Sequence, residues 1–160
     1  MTQNFSLTEE MQEENVESNK IHEIRLIVAG TRTFDDYALM REKLDQIILG
    51  LREDYPGASV VIISGDAKGA DQLGIRYAME RNLSFRRFPA QWRQYGKAAG
   101  PMRNAQMLAH AKEGIPALVA FWDGKSRGTD NMIQTARRGR VFVRVIPYET
   151  ASVKKTEHRP

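Results

Sequence analysis

At 160 residues, with 41% hydrophobic and 28% charged residues, the chain has the composition of one globular domain and no room for a second core of useful size. No apolar run approaches the roughly 20 residues that span a bilayer, and the lack of cysteine excludes a disulfide framework, a thiolate nucleophile and Cys-based metal sites. The net charge of +4 is uneven, because residues 24–147 hold 20 Lys and Arg against 12 Asp and Glu, which favours anionic partners without choosing between nucleotides and nucleic acid.

The first 23 residues carry Glu9, Glu10, Glu13, Glu14, Glu17 and Glu23 against Lys20 alone, the reverse of a secretory signal, and read as an acidic, solvated leader. A cytoplasmic location is the default expectation. From Ile24 the run IRLIVAG suits a strand covered on both faces. After GTRTF, Asp35 or Asp36 can cap a helix whose stripe is Tyr37, Met40, Leu44, Ile47, Ile48 and Leu51, ending before Pro56-Gly57. Ser59–Ser64 is a second buried strand, followed by a helix from about Ala70 to Arg81 with Leu73, Tyr77 and Ala78 inward.

Leu83–Phe88 reads as a third, more polar strand, and an irregular stretch with Trp92, Tyr95 and Gly96 follows Pro89. A helix is expected from Gly100-Pro101, with Pro101 at the first helical position and Met102, Ala105, Leu108 and Ala109 on one face. Ala117–Phe121 is the fourth strand, Thr129–Arg138 a helix stopped by Gly139, and Val141–Ile146 the fifth strand before a polar tail, 148–160. This alternation predicts an α/β fold: one doubly wound, Rossmann-like domain over 24–147, its mostly parallel five-stranded sheet flanked by helices.

In such sheets ligands bind beyond the carboxyl ends of the strands, at the switch point of strand order. Gly30-Thr31-Arg32 there offers close backbone approach, a hydroxyl and a guanidinium for phosphate, the alternative being a tight turn with a surface Arg. SGDAKGAD places Gly65, Lys68 and Gly69 where the second strand meets a helix N-terminus, a phosphate-site layout, with Asp71 as a helix cap or an acceptor for a ribose hydroxyl. Neither the Walker pattern nor GxGxxG is present, so ATP hydrolysis and NAD-dependent hydride transfer are disfavoured and no cofactor is expected.

Ser126, Gly128 and Thr129 can complete an anion cradle, Thr129 being alternatively an N-cap. A neighbouring first and fourth strand would bring Arg32 and Thr129 to one crevice. Arg103 and Asn104 fall in a first helical turn, where a cation opposes the dipole. Trp92, Tyr95 and Trp122 have the chemistry to stack on a base, although aromatics beside strand ends more often pack. The three histidines show no ligand spacing, so no metal site is expected.

GTRTF, SGDAKGAD, GPMRN and WDGKSRGT, in this order over about residues 24–146, resemble the SLOG superfamily, specifically its small YspA-like, cpYpsA-related members. The resemblance implies a pocket for a phosphate-bearing, nucleotide-derived ligand around Gly30, Thr31, Arg32, Gly65, Gly69, Asp71, Arg103, Asn104, Gly128 and Thr129, and a homodimer. Resemblance to the lonely-guy phosphoribohydrolases, which pair an arginine with a glutamate after a glycine-rich turn, makes N-glycosidic cleavage of a nucleoside monophosphate the alternative, with Arg103 and Asp130 as catalytic candidates. The chain reads Asp130-Asn131-Met132 where that glutamate is expected. Resemblance to the DNA-processing protein A family, through its SGxAxGxD segment, ranks single-stranded nucleic-acid binding third.

Overall fold

A computed structural model describes residues 22–149. Five strands, β1 (Glu23–Gly30), β2 (Ser59–Ser64), β3 (Ser84–Arg87), β4 (Ile115–Trp122) and β5 (Phe142–Pro147), form one parallel sheet in the order β3-β2-β1-β4-β5. The helices are α1 (Tyr37–Asp54), α2 (Ala70–Glu80), the single turn α3 (Trp92–Tyr95), α4 (Ala99–Ala111) and α5 (Arg127–Arg138). A 3₁₀ turn, Gly96–Ala98, joins α3 to α4. Most of the acidic leader and the tail beyond Glu149 lie outside the described residues.

The sheet is covered on both faces, which is why its central strands read as largely apolar runs, interrupted in β1 by a buried Arg25 that pairs with Glu23 and Glu113. Ile24, Leu26 and Val28 of β1 pack with Met40, Leu44, Ile48 and Tyr77 of α1 and α2. Ile27 and Ala29 point the other way, into a layer with Met107, Leu108 and Ala111 of α4 and Met132, Ile133 and Ala136 of α5. Among the described residues, the edge strands β3 and β5 lack a neighbour on one side, and they carry Arg86, Arg87 and Arg144.

Boundaries follow local chemistry. Asp36 caps α1 by accepting from the Leu39 amide at 3.1 Å, so of the two aspartates it is the second that starts the helix. The expected α4 face is out of phase: Met102, Ala105 and Ala109 are exposed, whereas Gly100, Asn104, Met107, Leu108 and Ala111 are buried. Hydropathy misplaced the stripe because the inward face includes a polar Asn104 and a glycine. The helix also starts at Ala99, which puts Pro101 third and carries Arg103 past the first turn. Pro116 lies inside β4 rather than before it.

The strand order sets β1 against β4, with Gly30 opposite Phe121 and the order reversing between β1 and β4. A crevice at the carboxyl ends of β1 and β4 is the topological consequence. The loops after β1, β2 and β4 and the start of α4 all reach it.

Candidate functional site

Thr31 joins the loops rather than facing the crevice. Its amide donates to the Phe121 carbonyl at 3.0 Å, its hydroxyl accepts from the Asp123 amide at 3.2 Å, and its carbonyl accepts from the Ala70 amide at 3.3 Å. One residue therefore ties β1 to the end of β4 and the start of α2. Gly69, at φ +76, packs so tightly that a Cβ would stand 2.4 Å from the Arg32 carbonyl oxygen, so the first two loops touch backbone to backbone. These contacts fix Arg32 at the mouth of the crevice.

The loop after β2 is organised by its own side chains. Ser64 donates its hydroxyl to the Asp71 carbonyl at 2.9 Å and accepts from the Asp66 amide at 3.1 Å. The Asp71 carboxylate accepts from the Ala67 amide at 3.1 Å and is only 5% exposed. Burial pushes its pKa up to about 6, against the pull of the Ala67 amide and of Arg103 and Arg32. A Cβ at Gly65 would meet the Arg103 guanidinium and the Asp71 carboxylate, so a larger residue there would have to displace these side chains.

A polar chain then crosses the crevice floor. Arg103 donates Nη1 to the Gly65 carbonyl and Nε to the Asn104 side-chain oxygen at 2.9 Å, while burial holds its pKa below the ordinary guanidinium range. Asn104, 3% exposed, donates onward to the Asn131 side-chain oxygen at 2.9 Å and to the Gly128 carbonyl at 3.3 Å. The β2 loop, α4 and α5 are thereby held in one arrangement.

The loop after β4 presents the start of α5. Asp123 accepts from the Lys125 and Ser126 amides, each at 2.9 Å; burial pushes its carboxyl up, but these bonds and the one with Thr31 outweigh it and hold the pKa below the usual range. Ser126, not Thr129, caps α5: its hydroxyl accepts from the Thr129 amide at 3.4 Å and meets the Thr129 hydroxyl at 3.1 Å. The amides of Arg127 and Gly128 stand in the first turn, beyond reach of any intrahelical carbonyl.

The resulting cleft has about 260 Å³ of room, slightly below the roughly 300–1,000 Å³ of small-molecule sites. Of the residues expected from sequence, Gly30, Arg32, Asp71, Arg103, Asn104, Ser126, Gly128 and Thr129 line it. Thr31, Gly65 and Gly69 shape the loops behind the wall, and Lys68 is exposed outside it. Asp130 also lies off the wall, where its carboxylate accepts from Gln134 at 3.3 Å. Lys97, Arg127 and Asn131 line the cleft without having been anticipated. Arg127 was legible as a member of the SRGT loop, whereas Lys97 sits in an irregular stretch with no periodic signal.

The electrostatic balance is lopsided. Among the described residues, four cations, Arg32, Lys97, Arg103 and Arg127, line the cleft with the single carboxylate of Asp71. Among the described residues, no hydrogen bond or ion pair from their side chains holds Arg32, Lys97 or Arg127. Such an arrangement suits an anion bound at a helix N-terminus.

The family model for the YspA, cpYpsA-related SLOG family matches residues 24–95, from β1 through the turn that carries Trp92. A similar protein, the Gene 61 protein of Mycobacterium phage D29, is 29% identical over 124 residues, covering 74% of this chain and 93% of that protein. No solved structure gives a significant match. The GTRTF and SGDAKGAD loops lie inside the matched segment, so over residues 24–95 the chain is similar to the YspA, cpYpsA-related SLOG family.

Proposed function

We propose that the cleft binds a phosphate-bearing, nucleotide-derived ligand. The observation that carries this reading is the meeting, in one cleft, of the first turn of α5 with Arg32, Lys97 and Arg127, three cations that no side-chain hydrogen bond or ion pair holds among the described residues. The α5 amides and Arg127 would take a phosphate, Arg32 and Lys97 would neutralise further charge, and the buried Asp71 carboxyl would accept from a sugar hydroxyl. Arg103 serves mainly to hold the β2 loop to α4, because two of its donor groups are already used.

A second reading, hydrolysis of the N-glycosidic bond of a nucleoside monophosphate, draws support from a specific feature: the cleft contains a buried acid whose pKa of about 6 suits proton transfer near neutral pH. That acid is Asp71 rather than Asp130. Asp71 would take the proton of the attacking water and return it to the departing base.

One incubation separates the two. A panel of phosphorylated nucleotides should raise the melting temperature of the protein by a few degrees, and Arg32→Ala should abolish the shift. Chromatography of the same mixtures reports free base, which appears above a heat-killed control only if the ligand is turned over. A flat thermal response across the whole panel would sink the binding reading.

A further inference from the structure

The fold sorts the aromatic residues near the strand ends into different roles. Trp122 is half-buried against the α4 and α5 core and donates its indole N–H to the Ser126 carbonyl at 3.0 Å, so it is a packing residue. Tyr95 faces an adjoining groove, with Pro89 and Gln106. Trp92 alone of the three lines the cleft, and it does so while 46% exposed.

Its placement is specified from two sides. Gly100 lies at the outer edge of the ring, where a Cβ would come within 3.1 Å of the Cη2 atom, so a glycine at this point of α4 makes room for the indole. The Arg32 guanidinium lies over the ring at 5.5 Å from its centroid, a loose cation–π contact. The turn that carries Trp92 and the 3₁₀ turn after it bury none of their own side chains, so no core contact from this segment accounts for a large apolar ring there. Lys97, on the same segment, also lines the cleft.

A planar group can share or take the face that Arg32 covers, since Arg32 is exposed and otherwise unpaired among the described residues. Stacking on tryptophan suits any nucleobase, because each presents a π face. We infer that Trp92 is a specificity-determining platform for the base of the ligand, which makes the ligand class base-bearing nucleotides rather than sugar phosphates or simple polyphosphates. This rests on the anion-binding reading of the same cleft: the phosphates reach Arg127 and the first turn of α5 while the base lies on Trp92.

The test is titration calorimetry of the intact protein with ADP, GDP, CDP, UDP and pyrophosphate, repeated with Trp92→Ala and Trp92→Phe. Thermal unfolding confirms that both variants fold, as expected for a half-exposed side chain. At least one nucleoside diphosphate should bind more tightly than pyrophosphate. For that nucleotide Trp92→Ala should weaken binding about tenfold or more and Trp92→Phe much less, with pyrophosphate changed by no more than about twofold. Equal losses on nucleotide and pyrophosphate would mean that Trp92 only positions Arg32, and would overturn the inference. So would a wild-type protein that binds pyrophosphate as tightly as every nucleotide. If neither pyrophosphate nor any nucleotide binds, the anion-binding reading itself fails and takes this inference with it.

Discussion

Asp71 shows how a single residue acquires its properties from the fold. Its ordinary pKa is 3.8, and burial lifts it to about 6 in the native protein. The native state therefore keeps a proton that the unfolded chain releases between these values. Stability from the protonated carboxyl is complete below about pH 4 and is lost as pH climbs through about 6, an effect on the order of 3 kcal/mol at about 1.4 kcal/mol per pKa unit. Urea unfolding of wild type and Asp71→Asn at intervals from pH 4 to 8 measures it. The variant should lose most of the slope in this window, and an unchanged slope would assign it to another group. From sequence, Asp71 was visible as a helix-start carboxylate in a glycine loop, but its burial comes from the fold, which closes the β2 loop on the carboxylate through the Ala67 amide and sets Arg103 nearby. Asn131 was invisible for a similar reason: nothing local distinguishes it from Asp130, and only the reach of Asn104 from α4 selects it.

Among the elements, β1, β2, α1 and α2 were legible because their apolar pattern and their function as core coincide. For α4 the two part company. Its inward face must also deliver Asn104 and the Gly100 seat for Trp92, so its buried stripe is less hydrophobic than its alternative. Helix caps provide a comparison between elements near and away from the cleft. Asp36→Ala and Ser126→Ala each remove a side chain that accepts from a helix amide, and each should cost about 1 kcal/mol of stability by denaturant titration. Only Ser126→Ala should also weaken ligand binding, because the α5 cap lies in the cleft wall and the α1 cap does not. Equal effects on binding would separate the start of α5 from the site.

Across the whole molecule the basic excess of residues 24–147 divides into charge that lines the cleft and charge that does not. Arg137 and Arg138 lie at the far end of α5, about 15 Å from Arg127 at a rise of about 1.5 Å per residue, beyond the Debye length of roughly 8–10 Å near physiological salt. Arg127→Ala should therefore weaken pyrophosphate binding about tenfold, while Arg137→Ala with Arg138→Ala changes it by less than about twofold at 0.15 M salt. Wild-type affinity should fall steadily from 0.05 to 0.5 M salt. Matching losses in the two charge variants would point to a diffuse electrostatic surface, as nucleic-acid binding would use.

The sequence by itself determined the succession of strands and helices, the doubly wound class and the loops that bear Arg32, Asp71 and Ser126, because hydropathy period, glycine placement and capping chemistry act between near neighbours. The tertiary structure alone decided which of those residues meet. Setting β1 beside β4 brought residues about ninety positions apart into one cleft, the β2–α4–α5 network put Arg103 to work as a brace, and the turn before α4 swung Trp92 and Lys97 into the wall. Such convergence depends on strand order and on the packing of α4, which no local stretch of the chain encodes.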